Sequence, residues 1–172
     1  MDISKRLTEL DSSNLHILEA DEQTFNKFME EVRSKLPKDT FFAIIDGNRI
    51  DNLCELFEAF VEAFKFPDYF GKNWAAFDEC INDLDWLNVS SYILVLKDID
   101  TKFNDEQNIN TLLRILCNSA NEWSMGRNYD SYPTPPTPFH IIFVVPVGNG
   151  SKIDQRLKAE GFRNIEHLSL SL

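Results

Sequence analysis

Positive charge is scarce in this chain. Lys and Arg number 17 against 28 Asp and Glu, a formal net charge of −11 over 172 residues. Such a surface repels a nucleic-acid backbone, which is gripped through Lys and Arg, so no direct DNA or RNA binding is expected. It favours a basic protein partner instead, while plain solubility is the simplest use of the charge. Cysteine is sparse as well. Cys54, Cys80 and Cys117 are odd in number and widely spaced, so they form no disulfide framework. No apolar run approaches the roughly 20 residues of a membrane-spanning helix. The opening MDISKRLTELDSSN lacks an apolar core of the kind a secretory leader carries. The expectation is a reduced, cytoplasmic protein. Repeats of 20–50 residues are absent. So are P-loop, GxSxG and GxGxxG motifs and any Cys/His spacing that reads as zinc. No cofactor and no metal are expected.

What the chain does have is apolar mass. Hydrophobic residues make up 43% and Phe alone occurs 14 times. A chain of this length fits one domain, spanning 1–172, and buries roughly 70% of the surface its unfolded form exposes. Residues 1–13 are polar and read as loose or weakly helical. NLHILEA (14–20) reads as a short strand. Asp21 is placed to cap a helix over 22–36 that carries Phe25, Phe28, Met29, Val32 and Leu36 on one face. TFFAIID (40–46), SYILVLKD (91–98) and FHIIFVVP (139–146) are continuous apolar runs, the pattern of strands covered on both faces of a parallel sheet. Asp51 is read as the cap of a second helix with Leu53, Leu56, Phe57, Phe60 and Phe64 inward. Asn73 caps a third over about 74–86. Residues 105–124 form a long helix with Ile109, Leu112, Leu113, Leu116 and Ala120 inward. SYPTPPTP (131–138) holds four of the seven prolines and must be stiff and extended. A last helix with a Gly161 C-cap and an edge strand in NIEHLSLSL complete an α/β pattern with a largely parallel sheet.

One stretch stands apart. FPDYFGKNWAAFDEC (66–80) sets two aromatics before a glycine and then opens a helix. At 100° per residue Trp74, Phe77, Cys80, Ile81 and Leu84 fall on the core side. Ala75, Glu79, Asn82, Asp83 and Trp86 fall outward. Residues 66–100 carry seven acids and only two bases, Lys72 and Lys97. A solvated helix face is the ordinary reading of such a run. Against it, no base on this helix pairs with Glu79 or Asp83 at i±4 spacing. Acids beside aromatics also suit an interface with a basic partner.

This stretch, followed by INDLDW and YILVLKD, resembles the barstar family of ribonuclease inhibitors. The resemblance rests on the strand ending Asp46-Gly47, on the turn with Pro67, Tyr69, Phe70, Gly71 and Asn73, and on the helix with Cys80. It implies a small, largely parallel sheet packed with helices, with a family core at about 40–146 and extensions at 1–39 and 147–172. It implies no enzyme, but a monomeric immunity protein of the toxin–antitoxin kind that plugs the active site of a basic secreted or toxin ribonuclease. Its partner-binding residues would be Tyr69, Gly71, Asn73, Ala75, Glu79, Asn82, Asp83 and Trp86. Glu79 falls where the family has its central aspartate. Asn118 or Glu122 would stand in place of a further family acid. Ala75 replaces a second interface aspartate, and Asp78 replaces a tryptophan.

Two other classes stay open. Asp46, Asp98 and Asp100 follow strand ends, where a Mg²⁺-dependent α/β enzyme would gather ligands. The P-x-x-P spacings of Pro133–Pro136 and Pro135–Pro138 would suit an adaptor. The histidines are dispersed, and His140 reads as a core or edge residue. The three cysteines read as small core residues.

Overall fold

The computed structural model describes residues 2–10, 13–128 and 131–169. Five strands, β1 (Leu15–Glu19), β2 (Thr40–Asp46), β3 (Ser91–Lys97), β4 (Phe139–Val145) and β5 (Ile165–Leu168), form one sheet in the order β2-β3-β4-β1-β5. Every pairing is parallel. The helices are α1 (Ile3–Arg6), α2 (Glu22–Lys35), α3 (Leu53–Phe64), α4 (Trp74–Asp83), α5 (Glu106–Met125) and α6 (Gly150–Ala159).

Strand alternation divides the core in two. Ala43, Ile45, Leu94, Leu96, Ile141 and Phe143 face a large cluster with the apolar sides of α3, α4, α5 and α6. Phe42, Ile44, Ile93, Val95, Ile142 and Val144 face a smaller one with Leu7 and the Phe25, Phe28, Met29 and Val32 stripe of α2. Helices therefore cover both faces, as the continuous apolar runs require.

Several local readings shift. β2 is an edge strand, so it is only half-buried although both its faces are covered. The short strand at 15–19 lies inside the sheet, between β4 and β5. Residues 3–6 are helical, and Leu7 and Ser4 are buried against α2 rather than loose. The cap of α3 is Asn52, which accepts from the Glu55 N–H at 3.0 Å, while the Asp51 N–H donates to the Glu55 carboxylate at 2.7 Å. That reciprocal pair satisfies two N–H groups at once. The Asp51 side chain goes instead to Lys102, at 2.9 Å. Cys54 is exposed, unlike Cys80 and Cys117, because it lies one residue off the α3 stripe. The expected strand over 164–172 runs beyond the described residues at 170.

Gly47 marks a close crossing behind β2. A Cβ there would sit 2.2 Å from the Asp98 carbonyl oxygen. Only a hydrogen fits, and the two strand ends are brought together.

Candidate functional site

The turn before α4 separates its two aromatics. Phe70 donates its N–H to the Pro67 carbonyl at 2.9 Å, closing a β-turn with Asp68 and Tyr69 at its centre. Phe70 is buried edge-on to Phe66 and Phe57, with ring centroids 5.1 and 5.7 Å away. Tyr69, one position earlier, is 74% exposed. Gly71 and Lys72 follow, and Lys72 takes the left-handed conformation at φ 48. Asn73 ends the turn. Its Oδ1 accepts from the Ala76 N–H at 2.9 Å, and its Nδ2 donates to the Gly71 carbonyl at 3.3 Å. A side chain at Gly71 would press on that amide, 3.0 Å from an added Cβ.

α4 is held rigidly from below. Trp74 Nε1 donates to Asn108 Oδ1 on α5 at 2.9 Å, and Trp123 Nε1 donates to the Ile81 carbonyl at 3.0 Å. Phe77, Cys80 and Ile81 are buried. Ala75, Asp78, Glu79 and Asp83 are left exposed on the outer side, with Asn82 half-exposed among them. Desolvation and the Asp85 carboxylate push Asp83 above its ordinary value. Desolvation and Glu122 do the same to Asp78. Local desolvation with Asp83 raises the Tyr69 phenol. Carboxylates of α4 and of the end of α5 thus act on one another and on the turn. Of the two residues considered on α5, it is Glu122 whose charge reaches α4.

Trp86 lies elsewhere. α4 stops at Asp83, because Leu84 turns left-handed at φ 50 and buries its side chain. The chain then swings inward. Trp86 Nε1 donates to the Phe64 carbonyl at 2.8 Å and its ring packs edge-on to Phe66. The outward position expected for Trp86 assumed a helix running on to residue 86.

Arg127 is the residue that periodicity does not reveal. It enters from the far side of the proline-rich loop. Its Nη1 donates to the Asn82 carbonyl at 2.8 Å and its Nη2 to Asn82 Oδ1. Its Nε pairs with Glu122 at 3.3 Å, and its guanidinium stacks 4.8 Å above the Trp123 ring. An open groove of about 460 Å³ lies between α4 and this loop, lined by Glu79, Asn82, Asp83, Asp85, Arg127, Tyr132 and Thr134.

The residues of the other two readings are engaged. Asp46 accepts from the Asn48 N–H and Asp98 from Asn48 Nδ2. Asp100 faces Lys152 and Arg156, at 3.3 and 3.8 Å. Among the described residues no group of three or more His, Cys, Asp or Glu converges as a metal site would require. The proline-rich segment is pinned at Thr134, which exchanges both backbone hydrogen bonds with Arg127, and at Thr137, whose N–H reaches the Trp123 carbonyl at 2.7 Å. Gly126, at φ 73, makes that approach possible. A Cβ on it would meet the Thr134 oxygen and the Pro136 nitrogen at 2.8 Å.

A family model described as Barstar (barnase inhibitor) matches residues 40–136, more than half of the chain. The chain belongs to the barstar family. The match takes in β2, β3, the Tyr69–Asn73 turn, α4 and α5, and ends inside the proline-rich segment. No curated protein matches the chain significantly. Barstar-family members are inhibitors rather than enzymes. No helix among the described residues is long and apolar enough to cross a membrane.

Proposed function

We propose that this barstar-family chain inhibits a ribonuclease or related nuclease toxin by laying the outer face of α4 and the Tyr69–Asn73 turn over its active site. A ribonuclease must bind phosphates, so its cleft gathers Lys, Arg and often protonated His. Carboxylates held at fixed spacing pair with those cations through charge-assisted hydrogen bonds. The observation that carries the reading is the acidic face of α4, capped by Asn73, beside a solvent-exposed Tyr69. A specific interface needs roughly 800 Å² per partner, within reach of one helix and one turn. Desolvating Glu79 and Asp83 is costly, and close cations on the enzyme must offset it. Ala75 and Asp78 alter the acid pattern, which argues for a nuclease other than barnase itself. As an immunity protein the chain acts as a monomer in the cytoplasm, before its nuclease is exported or delivered.

The test is an RNA-cleavage assay with the nuclease encoded beside this chain. Stoichiometric loss of cleavage supports the reading. Full cleavage at a molar excess of the chain ends it.

A further inference from the structure

Two histidines far apart in sequence meet inside the sheet. His16 on β1 and His140 on β4 are both fully buried, with stacked rings 5.2 Å apart. His140 Nε2 lies 2.9 Å from the Glu9 carbonyl oxygen. His140 Nδ1 lies 2.9 Å from His16 Nε2. His16 Nδ1 lies 3.0 Å from Glu166 Oε2 on β5. The other Glu166 oxygen pairs with Arg6 of α1. Among the described residues the groups around the two rings are Arg6 from α1, the Glu9 and Ser13 backbone that follows it, and Glu166 from β5.

Counting hydrogens along this chain gives an odd result. It runs from a carbonyl oxygen to a carboxylate, and both ends only accept. Three contacts need three hydrogens, and two neutral imidazoles bring two. If His140 donates Nε2–H to Glu9, its Nδ1 accepts. His16 then donates Nε2–H to His140. The His16 Nδ1 lone pair is left facing a carboxylate oxygen. Reversing both tautomers only moves the empty contact to the Glu9 carbonyl. We propose that this cluster binds one proton beyond those of two neutral imidazoles, shared between His16 Nδ1 and Glu166 Oε2.

The surroundings work against a charge on either ring: burial, with the charges of His140 and Arg6, lowers His16, and burial lowers His140 too. What holds the proton is the 3.0 Å contact that it completes between His16 Nδ1 and Glu166 Oε2. The chain's net charge of −11 favours the uptake. Arg6, Glu9, His16, His140 and Glu166 all lie outside the family match at 40–136. The proton fastens the N-terminal segment, β1 and β5 to β4, whether or not α4 meets a nuclease.

Long-range ¹H–¹⁵N correlation and carboxyl ¹³C spectra of the full chain at pH 7 test this. The expected result is His140 in the Nε2–H form and one proton in the His16–Glu166 contact, seen at His16 Nδ1 or on the Glu166 carboxyl. Glu166→Gln is the second arm. Its amide N–H fills the same contact without a solvent proton, so His16 then reads as neutral with a bare Nδ1. A bare Nδ1 facing an ionised Glu166 in the unaltered chain overturns the proposal. So does a His16 that stays doubly protonated in Glu166→Gln.

Discussion

Arg127 and Asn82 are joined at two points, backbone carbonyl and side-chain oxygen, across 45 residues of sequence. The guanidinium thereby takes up acceptors at the C-terminal end of α4, where carbonyls lack helical partners, and its charge suits the negative end of the helix. Arg127→Ala is expected to cost about 2 kcal/mol, the scale of hydrogen bonds to a charged group. Urea unfolding would read that loss, and amide exchange should quicken in the last turn of α4. An unchanged midpoint would show that the contact does not hold the helix end.

Glu79 is the acid at the centre of the outer face. Replacing it with Ala should weaken binding to the target nuclease by ~2–5 kcal/mol. That is the range for truncating one partner of a buried charge pair, and the barnase–barstar complex is itself a reference case for such coupling. Association by the unaltered chain should slow as salt rises, because the screening length falls from about 8 Å at physiological strength to about 3 Å at 1 M. Stopped-flow kinetics at two salt concentrations and a double-mutant cycle against the nuclease's cations provide the check. Zero coupling with every cation would remove the mechanism.

Asp83, on the same face, opposes folding through its charge. Asp83 titrates above its ordinary 3.8 through desolvation and Asp85. The folded chain therefore holds this proton more tightly than the unfolded chain. Ionisation at neutral pH costs stability. The cost shrinks as pH falls through the raised value, and it is gone below 3.8. Asp83→Asn should be more stable than the unaltered chain at pH 7 and converge with it towards pH 3. Thermal unfolding across that range measures the gap. A gap that is constant with pH would mean that charge is not its source.

Gly47→Ala places a methyl 2.2 Å from the Asp98 carbonyl oxygen. Backbone has to move, and the expected loss is about 1–3 kcal/mol, typical of overpacking. Chemical denaturation is sufficient to see it.

Thiol chemistry distinguishes the cysteines. Cys54 is exposed, whereas burial raises the Cys80 and Cys117 thiols. A thiol reagent should modify one cysteine quickly in the native chain and the other two only on unfolding. Peptide mapping would place the fast site at Cys54.

Local chemistry was readable in the residues, and long-range placement was not. Asp21 and Asn73 announce their helices because a cap bonds the N–H three positions on. The apolar stripes of α2, α3 and α5 follow from period alone. Strand order does not: a run such as TFFAIID is apolar whether its outer edge is paired or open. Trp86 went astray because α4 ends on a left-handed Leu84, with no glycine to mark the stop. Arg127 and the pairing of His16 with His140 depend on the loop and the sheet bringing distant residues together, which spacing along the chain does not encode. The core of the candidate surface, from Tyr69 to Asp83, was legible because it is one turn and one helix.

β1 precedes the other four strands of its sheet, yet its two neighbours are the last of the five to be made. Leu15 aligns with Ile141 on one side and Ile165 on the other. A ribosome-bound chain must therefore carry LHILE without its neighbours until β4 and β5 emerge. Closure of such non-local pairings is slow. Sheet completion has to wait until β5 has emerged, so premature termination anywhere before β4 leaves an apolar segment open to association with other chains.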